Sequence, residues 1–288
     1  MRILVAGALG EVGRTLTRTL ALRGHEVIQA SGRAPVDGAA AIGYLVSASL
    51  IEAGSIDLVV NAAGRGDRRS SPRSGQDATN ALAPAVRESG VPAVLMSTTR
   101  VLEGYGLTAT ESDPARPLTA YGEANAEHEA AWLATTGDSG RVLRIANYFC
   151  APSSRGAPQA QLLPWSLVTE ALDTGQIAVR SSPETTREFV DAADVATAIE
   201  ILGVDRPPSG FAATTPGIVL RLEDLVRATV EAFEQADRPT PTVTFGSESP
   251  IQPTCHGTWL TERGWQARFN IETLRASIGA WLAQGCLD

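Results

Sequence analysis

Apolar residues in the first half of the chain fall in short unbroken runs, each followed by a stretch where they recur at helical spacing. Ile3-Leu-Val-Ala6 is the first run and ends in glycine. A short run without polar alternation suits a parallel strand buried on both faces. After Gly13, residues Leu16, Leu20 and Leu22 lie near helical spacing, up to a stop at Arg23-Gly24. His25–Ala30 then reads as a second strand, so the chain opens as a βαβ unit. Strands are also predicted at Asp57–Asn61, Pro92–Ser97 and Val142–Ala146, and helices at Gln76–Ser89 and Tyr121–Ala134. Buried strands alternating with helices predict an α/β fold with a doubly wound parallel sheet.

From about Phe149 the pattern changes, with Pro152, Gly156, Pro158 and Pro164 in close succession. A helix is expected over Leu163–Leu172, a strand from Arg187 leading into a helix that begins near Asp194, and another helix over Leu222–Gln235. No stretch reads as a flexible linker. The expected division is therefore residues 1–148 as one domain, with a returning segment at about 186–204, and 149–288 as a small interwoven subdomain.

Composition narrows the function. The chain has 288 residues, 43% apolar and 19% charged, an ordinary globular balance. A formal charge of −8 argues against a nucleic-acid partner, which needs a basic footprint. No apolar run reaches the roughly 20 residues that span a bilayer, and no signal-peptide layout is seen, so no membrane association and a cytoplasmic setting are expected. Cys150, Cys255 and Cys286 are scattered, and His25, His128 and His256 are isolated. Inert thiols and no metal site are expected.

The first βα turn carries the most legible chemistry. Gly7, Gly10 and Gly13 allow a tight turn, close approach of backbone to a pyrophosphate and close helix–strand packing. The helix that follows presents unpaired N–H groups and a positive dipole end to phosphates. Gly7, Gly10, Glu11, Val12 and Gly13 are thus cofactor-binding candidates. The second strand ends in Ala30-Ser31-Gly32-Arg33 without the carboxylate that suits the ribose hydroxyls of NAD. Ser31 and Arg33 favour the 2′-phosphate of NADP, with NAD as the alternative.

These stretches, together with Asn61-Ala62-Ala63-Gly64, Ser97-Thr98-Thr99, Tyr121-Gly-Glu-Ala-Asn125, Val142–Asn147, Arg187-Glu-Phe-Val-Asp191 and the segment from Leu260 to Trp281, cover most of the chain. In this order they resemble the extended short-chain dehydrogenase/reductase family, the NAD-dependent epimerases and dehydratases. Length and layout look most like nucleotide-sugar ketoreductases of the dTDP-4-dehydrorhamnose reductase type. The resemblance implies a Rossmann-type fold whose subdomain binds substrate, and adds Asn61, Ala62, Ala63 and Gly64 to the cofactor site. It implies catalytic roles for Thr98, as hydrogen-bond donor to the reacting carbonyl, and for Tyr121, as proton donor. Arg65, Thr99, Asn147 and Arg187 are its substrate-binding residues, a nucleotide sugar its substrate, and a homodimer through the helices near 76–89 and 119–136 its assembly.

One residue departs from the pattern. The family has lysine at the fifth position of Tyr-x-x-x-Lys, where this chain has Asn125. An amide can still bond the nicotinamide ribose, but it cannot lower the tyrosine pKa by charge. An unperturbed tyrosine near pKa 10 is about one part in a thousand ionised at pH 7, a penalty of about 4 kcal/mol for acting as a base. A donor enters reduction protonated, so the loss weighs on oxidation. The expected activity is reduction of a keto group. The alternatives are a redox-neutral epimerase or dehydratase of the same fold, and a catalytically impaired dinucleotide-binding protein. Arg65, Arg68, Arg69 and Arg73 lie close together and read equally as an anion clamp or a solvated loop.

Overall fold

The computed structural model describes residues 1–32, 41–64, 73–152, 162–208, 211–248 and 253–283. Seven strands form one sheet: β1 (Arg2–Ala6), β2 (Glu26–Ala30), β3 (Ala41–Ile42), β4 (Leu58–Asn61), β5 (Ala93–Thr98), β7 (Gly140–Ile145) and β11 (Ala212–Thr215). Their order across the sheet is β3-β2-β1-β4-β5-β7-β11, and every neighbouring pair is parallel. The order reverses at β1, with β2 on one side and β4 on the other. Such a switch point opens a crevice at the carboxyl ends of the strands.

Side-chain alternation builds two cores from each strand. Ile3 and Val5 of β1, with Leu58, Val60, Val94 and Leu143, pack under α1 (Glu11–Leu22) and α6 (Ala192–Val204). Leu4 and Ala6, with Val59, Leu95 and Val142, pack under α2 (Tyr44–Glu52), α3 (Arg73–Ser89) and α4 (Ala120–Thr136). Because both faces are covered, the strands read as continuous apolar runs. The sheet is thus the filling of a three-layer sandwich.

A third core lies outside this sandwich. It joins Phe149 and Phe189 to Trp165 and Val168 of α5 (Trp165–Thr174), Leu225 and Phe233 of α7 (Leu222–Gln235), and Ile278 and Trp281 of α8 (Ile271–Ala283). Over it run β8 (Asn147–Phe149), β10 (Thr186–Asp191) and β12 (Ile218–Arg221), in the order β12-β10-β8. Two further pairs are parallel: β9 (Gln176–Ser181) with β13 (Thr242–Glu248), and β6 (Thr108–Thr110) with β14 (Thr254–His256).

Two features depart from the sequence reading. First, α6 begins at Ala192, two residues ahead of the expected start near Asp194, because the Asp191 carboxylate accepts the Asp194 N–H at 2.8 Å and caps the helix. Second, α2 has no polar side to give it period: Leu45 and Val46 are exposed while Ser47 is buried. The strand closing the large sheet, β11, comes from beyond residue 204, so the chain returns to the sheet once more after α6.

Candidate active site

Gly7, with φ +76°, turns the chain away from β1. A Cβ there would stand 2.6 Å from the Ala63 Cα and nitrogen, so the turn rests directly on the loop after β4. A Cβ on Gly13 would stand 2.1 Å from the Gly7 carbonyl, which is why α1 can start so close to the strand. Gly10 caps α1 without any side-chain hydrogen bond. The first-turn N–H groups of Glu11, Val12 and Gly13 therefore lack the side-chain acceptor that Thr119 supplies to α4 and Asp191 to α6. A Cβ on Gly64 would touch nothing within 4 Å. Open space beside an uncapped helix end fits the pyrophosphate of a dinucleotide.

At the end of β2, Ser31 is buried and its N–H bonds the Ile42 carbonyl at 2.9 Å. The Tyr44 ring lies against Gly32. Arg33 and Arg65 fall outside the described residues.

The loop after β4 is pinned from below. Asn61 is fully buried; its Oδ1 accepts the Ala63 N–H at 3.0 Å, and its Nδ2 donates to Thr79 Oγ1 at 3.1 Å. Thr79 Oγ1 in turn lies 2.6 Å from His128 Nε2 on α4. Burial lowers the His128 pKa, which keeps the ring neutral at pH 7.

Thr98 ends β5 between Ile145 of β7 and the segment Thr99–Tyr105, a 3₁₀ stretch whose Arg100 N–H its hydroxyl accepts at 3.2 Å. That stretch holds the start of α4. A Cβ on Gly122 would lie 2.9 Å from the Arg100 carbonyl, so only glycine lets the residue after Tyr121 dock here. Thr119 Oγ1 donates to buried Glu103 at 2.9 Å and accepts the Gly122 N–H at 3.2 Å. The Arg116 N–H bonds Val101 O, and the Gly104 N–H bonds Arg116 O, both at 2.7 Å. Tyr121 thus emerges, half-buried, from a helix start fastened to the segment that follows Thr98.

Deeper down, Glu129 and Arg144 form a buried ion pair at 2.8 Å, and Ser97 Oγ donates to Glu129 at 2.5 Å. This joins α4, β5 and β7 directly beneath Thr98. Removing one partner of such a pair leaves an uncompensated buried charge, at a cost of about 3–5 kcal/mol. Glu103, Glu129 and His128 carry much of the site's construction; the two glutamates were absent from the sequence reading, and His128 was read there as isolated and given no role. Glu129 sits on the Tyr121 helix two turns on, a spacing that could have marked it.

Asn125 donates from Nδ2 to the Tyr121 carbonyl at 2.8 Å. One of its two donors is spent on its own helix, leaving an N–H and the carbonyl oxygen for other partners. Arg100, a cation in the segment against which the start of α4 docks, is ion-paired to Glu103.

On the substrate side, Asn147 begins β8 and donates to the Glu188 carbonyl at 2.7 Å, while Arg187 on β10 reaches the Thr186 carbonyl at 2.8 Å. Thr99 is buried at 1% exposure, inside the 3₁₀ stretch. Glu188, also buried, accepts the N–H groups of Gly217 at 2.8 Å and Cys255 at 3.1 Å. Burial pushes its pKa up to about 7 against these two donors. Among the described residues no group of three His, Cys, Asp or Glu could hold a metal, and no helix is long and apolar enough to cross a membrane.

Comparison with known proteins agrees with this geometry. Residues 3–206 match the sequences described as the NAD dependent epimerase/dehydratase family. A dTDP-6-deoxy-L-talose 4-dehydrogenase (NAD(P)(+)) of Kitasatospora kifunensis is 30% identical over 317 aligned positions, covering 98% of this chain and 95% of that protein. A dTDP-4-dehydrorhamnose reductase of Burkholderia thailandensis is 33% identical over 146 residues, 48% of this chain and 47% of the relative. In fold, the chain is similar to MoeE5 in complex with UDP-glucose and NAD, with TM-score 0.75, 22% identity and 99% of each chain covered. It is also similar to UDP-N-acetylglucosamine 4-epimerase of Bacillus cereus, with TM-score 0.77, 17% identity, and 98% and 99% covered.

Proposed function

The chain belongs to the NAD dependent epimerase/dehydratase family, and on that premise we propose that it is an NADP-dependent reductase of a keto group on a nucleotide-linked sugar. The observation that carries this reading is the fastening of the α4 start to the segment after Thr98, which brings Tyr121 and Thr98 to one end of the sheet. Both curated relatives are named for redox chemistry at the 4-position of a dTDP-linked sugar, which supports a 4-keto-6-deoxyhexose as the substrate class.

Reduction needs a hydride on carbon and a proton on oxygen. A bound reduced nicotinamide supplies the hydride. The Thr98 hydroxyl donates to the carbonyl oxygen and orients it, and the Tyr121 phenol gives that oxygen its proton as the C–O double bond becomes single. Water then reprotonates the phenolate. Asn125 takes the ribose contact with its remaining donor and acceptor. The uncapped turn from Gly7 to Gly13 takes the pyrophosphate, the loop Asn61–Gly64 lines the cofactor, and Arg65, Asn147 and Arg187 hold the substrate; Thr99, buried at 1% exposure, is left out of that set.

The preference for NADP rests on Ser31 and Arg33, a strand end without a carboxylate followed by a cation. A charge-assisted contact to the 2′-phosphate favours NADPH over NADH by about 1–3 kcal/mol. Fluorescence titration with each, followed by turnover on a dTDP-linked 4-keto-6-deoxyhexose, is the test. Oxidation of one NADPH per sugar alcohol formed is the expected result. Equal affinities, or a preference that survives Arg33→Ala, would remove the NADP assignment. Absence of turnover would favour a binding protein.

A further inference from the structure

His128 lies off the catalytic residues yet touches a polar chain that runs from the Tyr121 helix to the phosphate turn. It stands seven residues after Tyr121 on α4, on the side facing α3 and β4. Its ring has two partners. Nε2 is 2.6 Å from Thr79 Oγ1, and the Gly75 backbone hydrogen-bonds the ring in the sense that favours its protonated form. Asn61 Nδ2 already donates to the Thr79 hydroxyl, whose own hydrogen is then free for Nε2, so the neutral ring carries its hydrogen on Nδ1, the nitrogen on the Gly75 side.

Every later bond then has one direction. The Thr79 hydroxyl donates to Nε2 and accepts from Asn61 Nδ2. The Asn61 amide oxygen accepts the Ala63 N–H. Ala63 is the residue on which the phosphate turn rests, since a Cβ on Gly7 would meet its backbone at 2.6 Å. There is little slack along the way. A Cβ on Gly75 would stand 2.8 Å from His128 Cε1 and 2.9 Å from the Ala63 carbonyl.

We propose that His128 is a positioning residue for the dinucleotide: through Thr79 and Asn61 its acceptor nitrogen fixes Ala63, and with it the seat of the Gly7–Gly13 turn. This rests on the reading of that turn as the cofactor site. An apolar residue at 128 leaves the Thr79 hydroxyl without its acceptor and lets the loop shift under Gly7, which weakens dinucleotide binding without touching any cofactor contact. The amide oxygen of glutamine can stand in for Nε2.

The test is fluorescence titration of the full chain with NADPH, alongside thermal unfolding, for the native protein, His128→Leu, His128→Gln, Thr79→Val and the double variant His128→Leu/Thr79→Val. His128→Leu and Thr79→Val are each expected to raise the Kd roughly tenfold, the effect of one lost buried hydrogen bond. His128→Gln is expected to stay within about twofold of native. The double variant should bind no more weakly than the weaker single one, because both break one chain. If His128→Leu does not fold, Thr79→Val and His128→Gln decide the matter. Native-like affinity in a folded His128→Leu or Thr79→Val, additive losses in the double variant, or His128→Gln as weak as His128→Leu would each overturn the proposal. A native protein that binds no dinucleotide would instead overturn the cofactor site itself.

Discussion

At Asn125, where the resemblance leads one to expect lysine, the side chain is an amide that bonds back to the Tyr121 carbonyl. Nearby Arg100 is already committed to Glu103. In the proposed mechanism Tyr121 donates its proton as a neutral phenol. Tyr121→Phe is expected to lower reduction by about 10²–10⁴, the usual share of general acid catalysis, in steady-state assays with NADPH. Alcohol oxidation by the native enzyme should be slow at neutral pH and rise steadily toward alkaline pH. Asn125→Lys should move that rise toward neutral pH, because a cation close by favours the phenolate. Reduction should change little. An unchanged oxidation profile in Asn125→Lys would count against the role given to residue 125. Residues were readable where backbone geometry is local, as at Gly7 and Gly13, whose close approaches admit no Cβ. Glu103 and Glu129 were not, since a carboxylate that fastens two elements looks in sequence like any surface acid until its partner is known.

Elements obeyed the same rule. Of the strands of the large sheet, β1, β2, β4, β5 and β7 were legible, most of them as unbroken apolar runs like Ile3–Ala6, while β3 and β11 were not. Short strands from Asn147 onward were not, because β8, β12 and β14 have three or four residues each and take their shape from neighbours. Glu188 shows how those neighbours are joined: one buried carboxyl on β10 receives N–H groups from the turn before β12 and from β14. Its folded pKa of about 7 lies above the ordinary 4.5, so the fold binds this proton more tightly than the unfolded chain does. The stabilisation is full below about pH 4.5 and is lost as pH rises through about 7. Urea unfolding from pH 5 to 8 should show a decline, and Glu188→Gln should flatten it relative to the native protein. Equal slopes in the two proteins would show that Glu188 does not titrate in this range.

At the scale of the whole molecule, the proposed dimer would form through the outward faces of α3 and α4. Those faces carry Asp77, Asn80, Glu88, Glu123 and Glu127, all exposed, and none of the large exposed apolar side chains among the described residues lies on either helix. Acidic faces meeting across a two-fold axis repel, and salt screens that repulsion. Sedimentation should therefore show association that is weak at low salt and tightens as salt is added. A species that stays monomeric at all salt concentrations would remove the dimer. The interweaving expected from the absence of a linker has a specific form: Asp194, buried at 1%, opens the first turn of α6, and its carboxylate accepts the N–H groups of Arg268 and Phe269 at 2.9 and 3.1 Å.

That carboxylate also sets a clock on biosynthesis. Its last donor lies 75 residues further along the chain. At about 5–20 residues per second a ribosome needs roughly 4–15 s to deliver it. During that interval the Asp194 carboxylate lacks both of these N–H donors, so the tie between α6 and the C-terminal segment closes only when synthesis is nearly done.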